Sequence, residues 1–145
     1  MGTLTRFAIL STPSGKLALP LIWIRDLLTG QVPRPLPKGY AHLGGCIPHL
    51  GEHFTVVGSS APRSSATKKD FLLFRYPNTA SPSETLVSLA LEIEKLECIV
   101  ATDRFTAESV ELSSGKVPLL SPPSWLKPDE WAAVVTLSAR SLKAA

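Results

Sequence analysis

"RFAILSTPSGKLALPL", residues 6–21, decides between a helical and a strand-built chain. Phe7 and Ile9 before the turn, and Leu17, Leu19 and Leu21 after it, recur every second residue. That is the period of a strand and not of a helix. Between the two runs stands "TPSG". Pro13 presets the backbone angle of an early turn position, and Gly15 supplies the left-handed one. The stretch predicts a β-hairpin.

Outward from this hairpin the chain is cut into short pieces by 13 prolines and 9 glycines. In "IWIRDLLTG" (22–30), Ile24, Leu27 and Leu28 have the spacing of one or two helical turns, with Gly30 as a stop. "QVPRPLPKG" (31–39) reads as a stiff, extended connector. "YAHLGGCIPHL" (40–50) suggests two short strands meeting at a bend, and "GEHFTVVG" (51–58) one helical turn or an irregular segment. Residues 58–69 read as a loop, and "FLLFRY" (71–76) as a buried strand.

"SETLVSLALEIEKLECIVAT" (83–102) fits two descriptions. Leu86, Leu89, Ile93 and Leu96 make a helical stripe with Ser83 as its N-cap, while Cys98, Ile99 and Val100 favour a strand. Strand and helix both stay open over 84–97. "SSGKVPLLSPPSWLKPDEW" (113–131) reads as connector, and "AAVVTLSARSL" (132–142) as a closing strand. There is no solenoid-type repeat. Six to nine short strands with few helical turns predict a small, mostly all-β domain built of packed barrels.

A length of 145 residues fits one domain, 1–145, long enough to bury a core. Apolar residues at 44% against 19% charged exclude a disordered chain. The formal charge of +3 is mild, and its one basic cluster, Arg63, Lys68 and Lys69, sits in a Ser-rich run that reads as a solvated loop. No nucleic acid is expected as a partner. The longest apolar run, "LALPLIWI", is broken by Pro20 and far short of a bilayer span, so no membrane insertion is expected. With no secretory leader at the start, Cys46 and Cys98 read as reduced thiols of a cytoplasmic protein. Cys98, in an apolar run, reads as buried and inert.

All three histidines and one cysteine fall in "HLGGCIPHLGEH", residues 42–53. Imidazole and thiolate are zinc ligands, and His42, Cys46, His49 and His53 would make a set of four. The spacing lacks the cysteine pairs of known finger motifs, however, and Pro48 and the glycines break a ligand-bearing helix. We therefore expect a turn without metal. No nucleophile elbow, phosphate loop, dinucleotide fingerprint or metalloprotease motif occurs. Asp26, Glu92 and Asp103 are carboxylates with no visible partner. No catalytic residues and no cofactor are expected. Of Trp23, Trp125 and Trp131, the sequence points to Trp23 as the one facing a partner and to Trp131 as core.

The order of these pieces resembles the CheW-like family, the coupling proteins of bacterial chemosensory arrays. "LALPLIWIRDLL" is similar to the family's "PL-x-x-V-R-E-I/L", "VPRPLP" to its Pro-rich link, and "GYAHLGGCIPHL" to "G-V-x-N-L-R-G-x-I-x-P-V-x-D-L". Gly39 stands at the first glycine, His42 at the Asn, Leu43 at the Leu, and Gly45 at the second glycine. Pro48 matches the proline after a one-residue deletion. "FLLFRY", "LALEIEKLECIV" and "AAVVTLSARSL" are similar to the later strands, with Glu92 at the family's Asp.

The resemblance spans nearly the whole chain and rests on the ordered set. It implies two small five-stranded β-barrels packed on one core, with short helical turns. It also implies a non-enzymatic adaptor between the cytoplasmic tip of a chemoreceptor and the regulatory domain of a CheA-type histidine kinase. By position, the implied partner-binding residues are Ile24, Arg25, Asp26, Gly39, His42, Leu43, Gly44 and Gly45. Two departures stand out. Gly44 replaces the arginine of "N-L-R-G", and Gly51 the aspartate of "P-V-x-D-L". A fixed-charge hydrogen-bond donor is thereby lost. A scaffold that has lost one partner, as in type IV pilus or other alternative chemosensory systems, is one alternative; a nucleic-acid-binding β-barrel is another.

Overall fold

The computed structural model describes residues 4–13, 15–34, 43–57, 68–78 and 85–144. Strands β1 (Thr5–Thr12) and β2 (Gly15–Pro20) lead through a 3-10 turn (Leu21–Trp23) into β3 (Ile24–Gln31). Then come β4 (Leu43–His49), β5 (Glu52–Val57), β6 (Lys69–Asn78) and β7 (Thr85–Ile93). β8 (Lys95–Thr102), β9 (Ser109–Leu112), β10 (Gly115–Pro118), a second 3-10 turn (Pro122–Trp125) and helix α1 (Pro128–Ala144) complete the order.

β1 shows why the sequence builds this architecture. Side chains alternate across a strand. Phe7 and Ile9 enter one apolar cluster with Ala18, Val110 and Val117. Ala8 and Leu10, on the other face, enter a larger cluster with Leu19, Leu72 and Phe74. β6 does the same: Phe71 and Leu73 point into a third cluster, while Leu72 and Phe74 point into the large one. Each such side chain, fully buried, stabilises the fold by roughly 1.5–3 kcal/mol. A strand apolar on both faces must lie between two cores. β1 and β6 are such strands, and the fold has three cores: one inside each lobe and one between them.

The first lobe joins the sheet β2-β1-β8 to the hairpin β9–β10. The link is a parallel bridge between Ala18 and Leu119, with the Leu120 N–H donating to the Ala18 carbonyl at 2.8 Å. The second lobe is the sheet β3-β6-β7-β5-β4. Its two edges meet: Arg34, just past β3, exchanges two backbone hydrogen bonds of 2.8 Å with Cys46 of β4. The fold is mostly β, and the expected pair of five-stranded halves is present.

The opening hairpin forms as its sequence predicts, with Gly15 at φ 128 and β1 antiparallel to β2. "FLLFRY" lies within β6. Five expectations are corrected. The helical spacing at Ile24, Leu27 and Leu28 belongs to strand β3, paired with β6 through Ile24–Phe74, Leu27–Leu72 and Leu28–Phe71. Sheet pairing outweighs a local pattern only one turn long. "GEHFTVVG" contributes β5, not a helical turn, and the described part of "YAHLGGCIPHL" is one strand rather than two. Ser83, the supposed N-cap, and residues 58–67 of the loop expected over 58–69 lie outside the described residues. The open question over 84–97 resolves as strands β7 and β8, because residues 87–91 are buried on both faces.

The fourth correction concerns the closing "strand", which is helix α1. Pro128 sits at its first position, where a missing N–H is harmless, and Asp129 and Glu130 occupy the first turn. The Glu130 carboxylate accepts the Lys127 N–H at 2.9 Å, the reach-back half of a capping box. Val134 and Ser138 are fully buried, with Trp131 and Val135 packed beside them, so one helical face covers the shared core. "SSGKVPLL" is likewise more than connector, since it carries β10.

Candidate interaction surface

β3 and β4 are the two edge strands of the second lobe, and the seam where they meet holds most of the described residues implied as partner-binding. Gly45 makes the seam possible. It has φ +121, and a Cβ built there would lie 2.6 Å from the Arg34 carbonyl oxygen. Only glycine lets the two backbones approach this closely. It also sits where the β4–β5 register shifts by one residue. Beside it, Leu43 is part of the shared core and Gly44 is buried.

At the far end of β4, His49 Nε2 lies 2.9 Å from Asp26 Oδ2 on β3. The other Asp26 oxygen accepts the Leu27 N–H at 2.8 Å. Asp26 is therefore partnered, contrary to the sequence reading. Glu92 is partnered too, with Lys69 Nζ at 3.1 Å, which takes one charge out of the supposed basic cluster. Inside the lobe, Glu52 of β5 receives two hydrogen bonds from Arg75 of β6, at 3.0 and 2.6 Å, and one from the Ser88 hydroxyl of β7. The Ser88 N–H donates to Ser138 Oγ of α1 at 3.0 Å. Burial raises the Glu52 pKa, but the hydrogen bonds from Arg75 and Ser88, with the charges of Arg75 and Arg25, more than offset it and hold the carboxyl below its ordinary range. Hydrogen bonding to Glu52 raises that of Arg75 in turn. One charge-assisted chain thus ties three strands and the helix together.

Four exposed apolar side chains stand out around this seam, Val32 beside Arg34 at 46% among them. Leu50, in the β4–β5 turn, is 91% exposed; Ile22, in the 3-10 turn before β3, is 89% exposed; Leu27 is 43% exposed. By contrast Ile24 packs against the shared core. Trp23 is not the outward residue the sequence suggested: it stacks edge-on against Tyr76 at 5.2 Å, and Tyr76 against Trp131 at 5.8 Å. Trp131 packs on the core as expected. Cys98 is exposed on β8 rather than buried. Sequence reasoning missed Leu50, whose only signal is a leucine before glycine in a two-residue turn.

Among the described residues no three His, Cys, Asp or Glu side chains converge as a metal site would require. His49 is engaged with Asp26, and burial raises the Cys46 thiol pKa while Arg34 partly opposes it. Among those residues no helix is long and apolar enough to cross a membrane.

The arrangement of strands is similar to the crystal structure of scaffolding protein TtCheW from Thermoanaerobacter tengcongensis, with a TM-score of 0.59 over 83% of this chain and 86% of that one. This chain has the CheW-like fold. Sequence identity is 8%, so the likeness is one of fold. No family model matches the sequence, and no curated protein does. Of the residues implied by the CheW-like pattern, Ile24, Arg25, Asp26, Leu43, Gly44 and Gly45 gather at or behind the seam; Gly39 and His42 lie outside the described residues. Arg25 and Asp26 reach solvent, whereas Leu43, Gly44 and Gly45 are buried and shape the backbone behind them.

Proposed function

We propose that the protein is a non-enzymatic, cytoplasmic adaptor, a single domain over 1–145. It would couple a chemoreceptor's cytoplasmic tip to the regulatory domain of a CheA-type histidine kinase. The observation that carries this reading is the pair of β-lobes packed on a shared core, the fold of a protein described as a scaffold. The mechanism is geometric. A rigid body with two faces holds two partners in register, and a change in one partner's state reaches the other by differential contact. Cross-links from the helix through Glu52 to β6 supply the stiffness.

The partner-binding face on this reading is the seam of the second lobe, with Ile24, Arg25, Asp26, Gly39, His42, Leu43, Gly44 and Gly45 as its positions by resemblance. Gly44 adds no side chain where the family has its arginine, so one of the two partners binds more weakly or not at all. Titration calorimetry of the protein against the kinase regulatory domain, and separately against the receptor tip, tests the proposal. Micromolar binding to either supports an adaptor and identifies the face retained. Binding to neither refutes it.

A further inference from the structure

The turn joining β4 to β5 has two residues, Leu50 at φ 51 and Gly51 at φ 80. Positive φ at both positions is the requirement of a type I′ hairpin turn, whose preferred pair is Asn-Gly. Gly51 meets it without strain. Leu50 does not, because a branched aliphatic side chain is disfavoured in the left-handed region. Leu50 is the one non-glycine residue with positive φ among the described residues. The turn imposes that φ, but no packing within the described residues calls for a leucine, since its side chain is 91% exposed. A strained backbone and an apolar side chain in water are two separate costs at one position; a partner pocket removes the second, and the first is the kind of strain kept where a side chain has a task.

The surroundings give the chemistry of that place. Asp26 is engaged by His49, and Glu52 by Arg75. Arg25 is exposed and directly precedes Asp26, whose partner His49 precedes the turn, so it is the cation on the neighbouring edge strand. A single protruding knob fits a concavity, and a cation favours a carboxylate at its rim. We propose that Leu50 is the anchor of the partner-binding face: it enters an apolar pocket on a folded protein partner, with Arg25 facing an acidic group at the pocket's edge. This rests on the adaptor reading and places its contact at a residue outside the positions implied by resemblance.

The test compares the unmodified chain with Leu50→Asn and Arg25→Glu, using the regulatory domain of a CheA-type kinase from the same organism as probe in titration calorimetry, with thermal melts in parallel. Leu50→Asn is expected to melt at or above the unmodified temperature, because asparagine suits the turn, and to lose at least tenfold in affinity. Arg25→Glu is expected to melt somewhat lower, because it takes away a cation that favours the ionised Glu52, and to bind more weakly, with the binding deficit shrinking as salt is added. If Leu50→Asn binds as tightly as the unmodified chain, or melts lower, the anchor is refuted while the adaptor reading stands. If the unmodified chain itself does not bind the probe, the anchor falls together with kinase coupling.

Discussion

Gly45 is the residue on which the second lobe's closure depends. A methyl group there would press on the Arg34 carbonyl at 2.6 Å, against backbone that has no rotamer to yield, and the φ of +121 is itself hostile to a side chain. Gly45→Ala is expected to cost about 2–4 kcal/mol, read from the midpoint of urea unfolding. Glu52 sets the acid response. Its pKa in the folded chain lies below the ordinary 4.5, so it ionises more readily folded than unfolded. The stability it contributes is complete above the ordinary value and is lost as pH falls from there through the lower folded pKa. Glu52→Gln should destabilise the protein by about 2–4 kcal/mol at neutral pH, leaving Arg75 half-buried without its partner. Its melting temperature should also fall less steeply between pH 5 and 3 than that of the unmodified chain. A parallel fall in both would assign the acid response to other carboxylates. Gly45 was legible beforehand as a family glycine, but its physical reason was not, because close approach is a property of two segments. Glu52 drew no notice in the sequence, since nothing local says that Arg75 and Ser88 will meet it.

Among the elements, misreadings fell where local pattern and long-range pairing disagree. Ile24, Leu27 and Leu28 keep helical spacing, yet β6 claims them as a strand. Val134 and Val135 favour a strand by propensity, yet they sit in α1, whose start is written in Pro128, Asp129 and Glu130. Those three residues close a run whose four prolines give it the look of connector. The hairpin at Gly15 and the strand at 71–76 were legible because turn chemistry and a two-sided apolar run are local facts. Helix α1 is also held in register by one specific polar contact. Ser138→Ala removes the acceptor for the Ser88 N–H, which is buried at the point where helix and β7 meet. The expected cost is about 1–2 kcal/mol in denaturant unfolding. Ser138→Thr, which keeps a hydroxyl, should recover part of it. Equal stability of all three chains would show that water replaces the serine.

For the whole molecule the shared core matters most. Its residues come from β1, β2, β4 to β7 and α1, with the flanking tryptophans packed against it. The core inside the second lobe is small by comparison: among the described residues it holds Ile47, Phe54, Val56, Phe71, Leu73 and Ala90, with Leu28 beside them. Unfolding is expected to be a single transition, with tryptophan fluorescence and far-ultraviolet circular dichroism superimposing across urea. Two separated transitions would mean that the lobes are independent. This architecture was legible only through the resemblance. Alternation at Phe7 and Ile9 announces one apolar face of β1, but not that Ala8 and Leu10 enter a second core on the other.

The first lobe is also split in sequence. β1 and β2 open the chain, the whole second lobe follows, and only then does β8 arrive to pair with β1, Ile9 against Cys98. During synthesis at 5–20 residues per second, the partner of β1 emerges roughly 4–18 seconds after β1 itself. Through that interval Phe7 and Ile9 have no finished lobe to enter, and an apolar strand edge is open to any other nascent chain. The second lobe, contiguous from β3 to β7, lies between them in the sequence. The ends of the chain then clasp around it, making β1–β8 pairing a late and slow event on the ribosome.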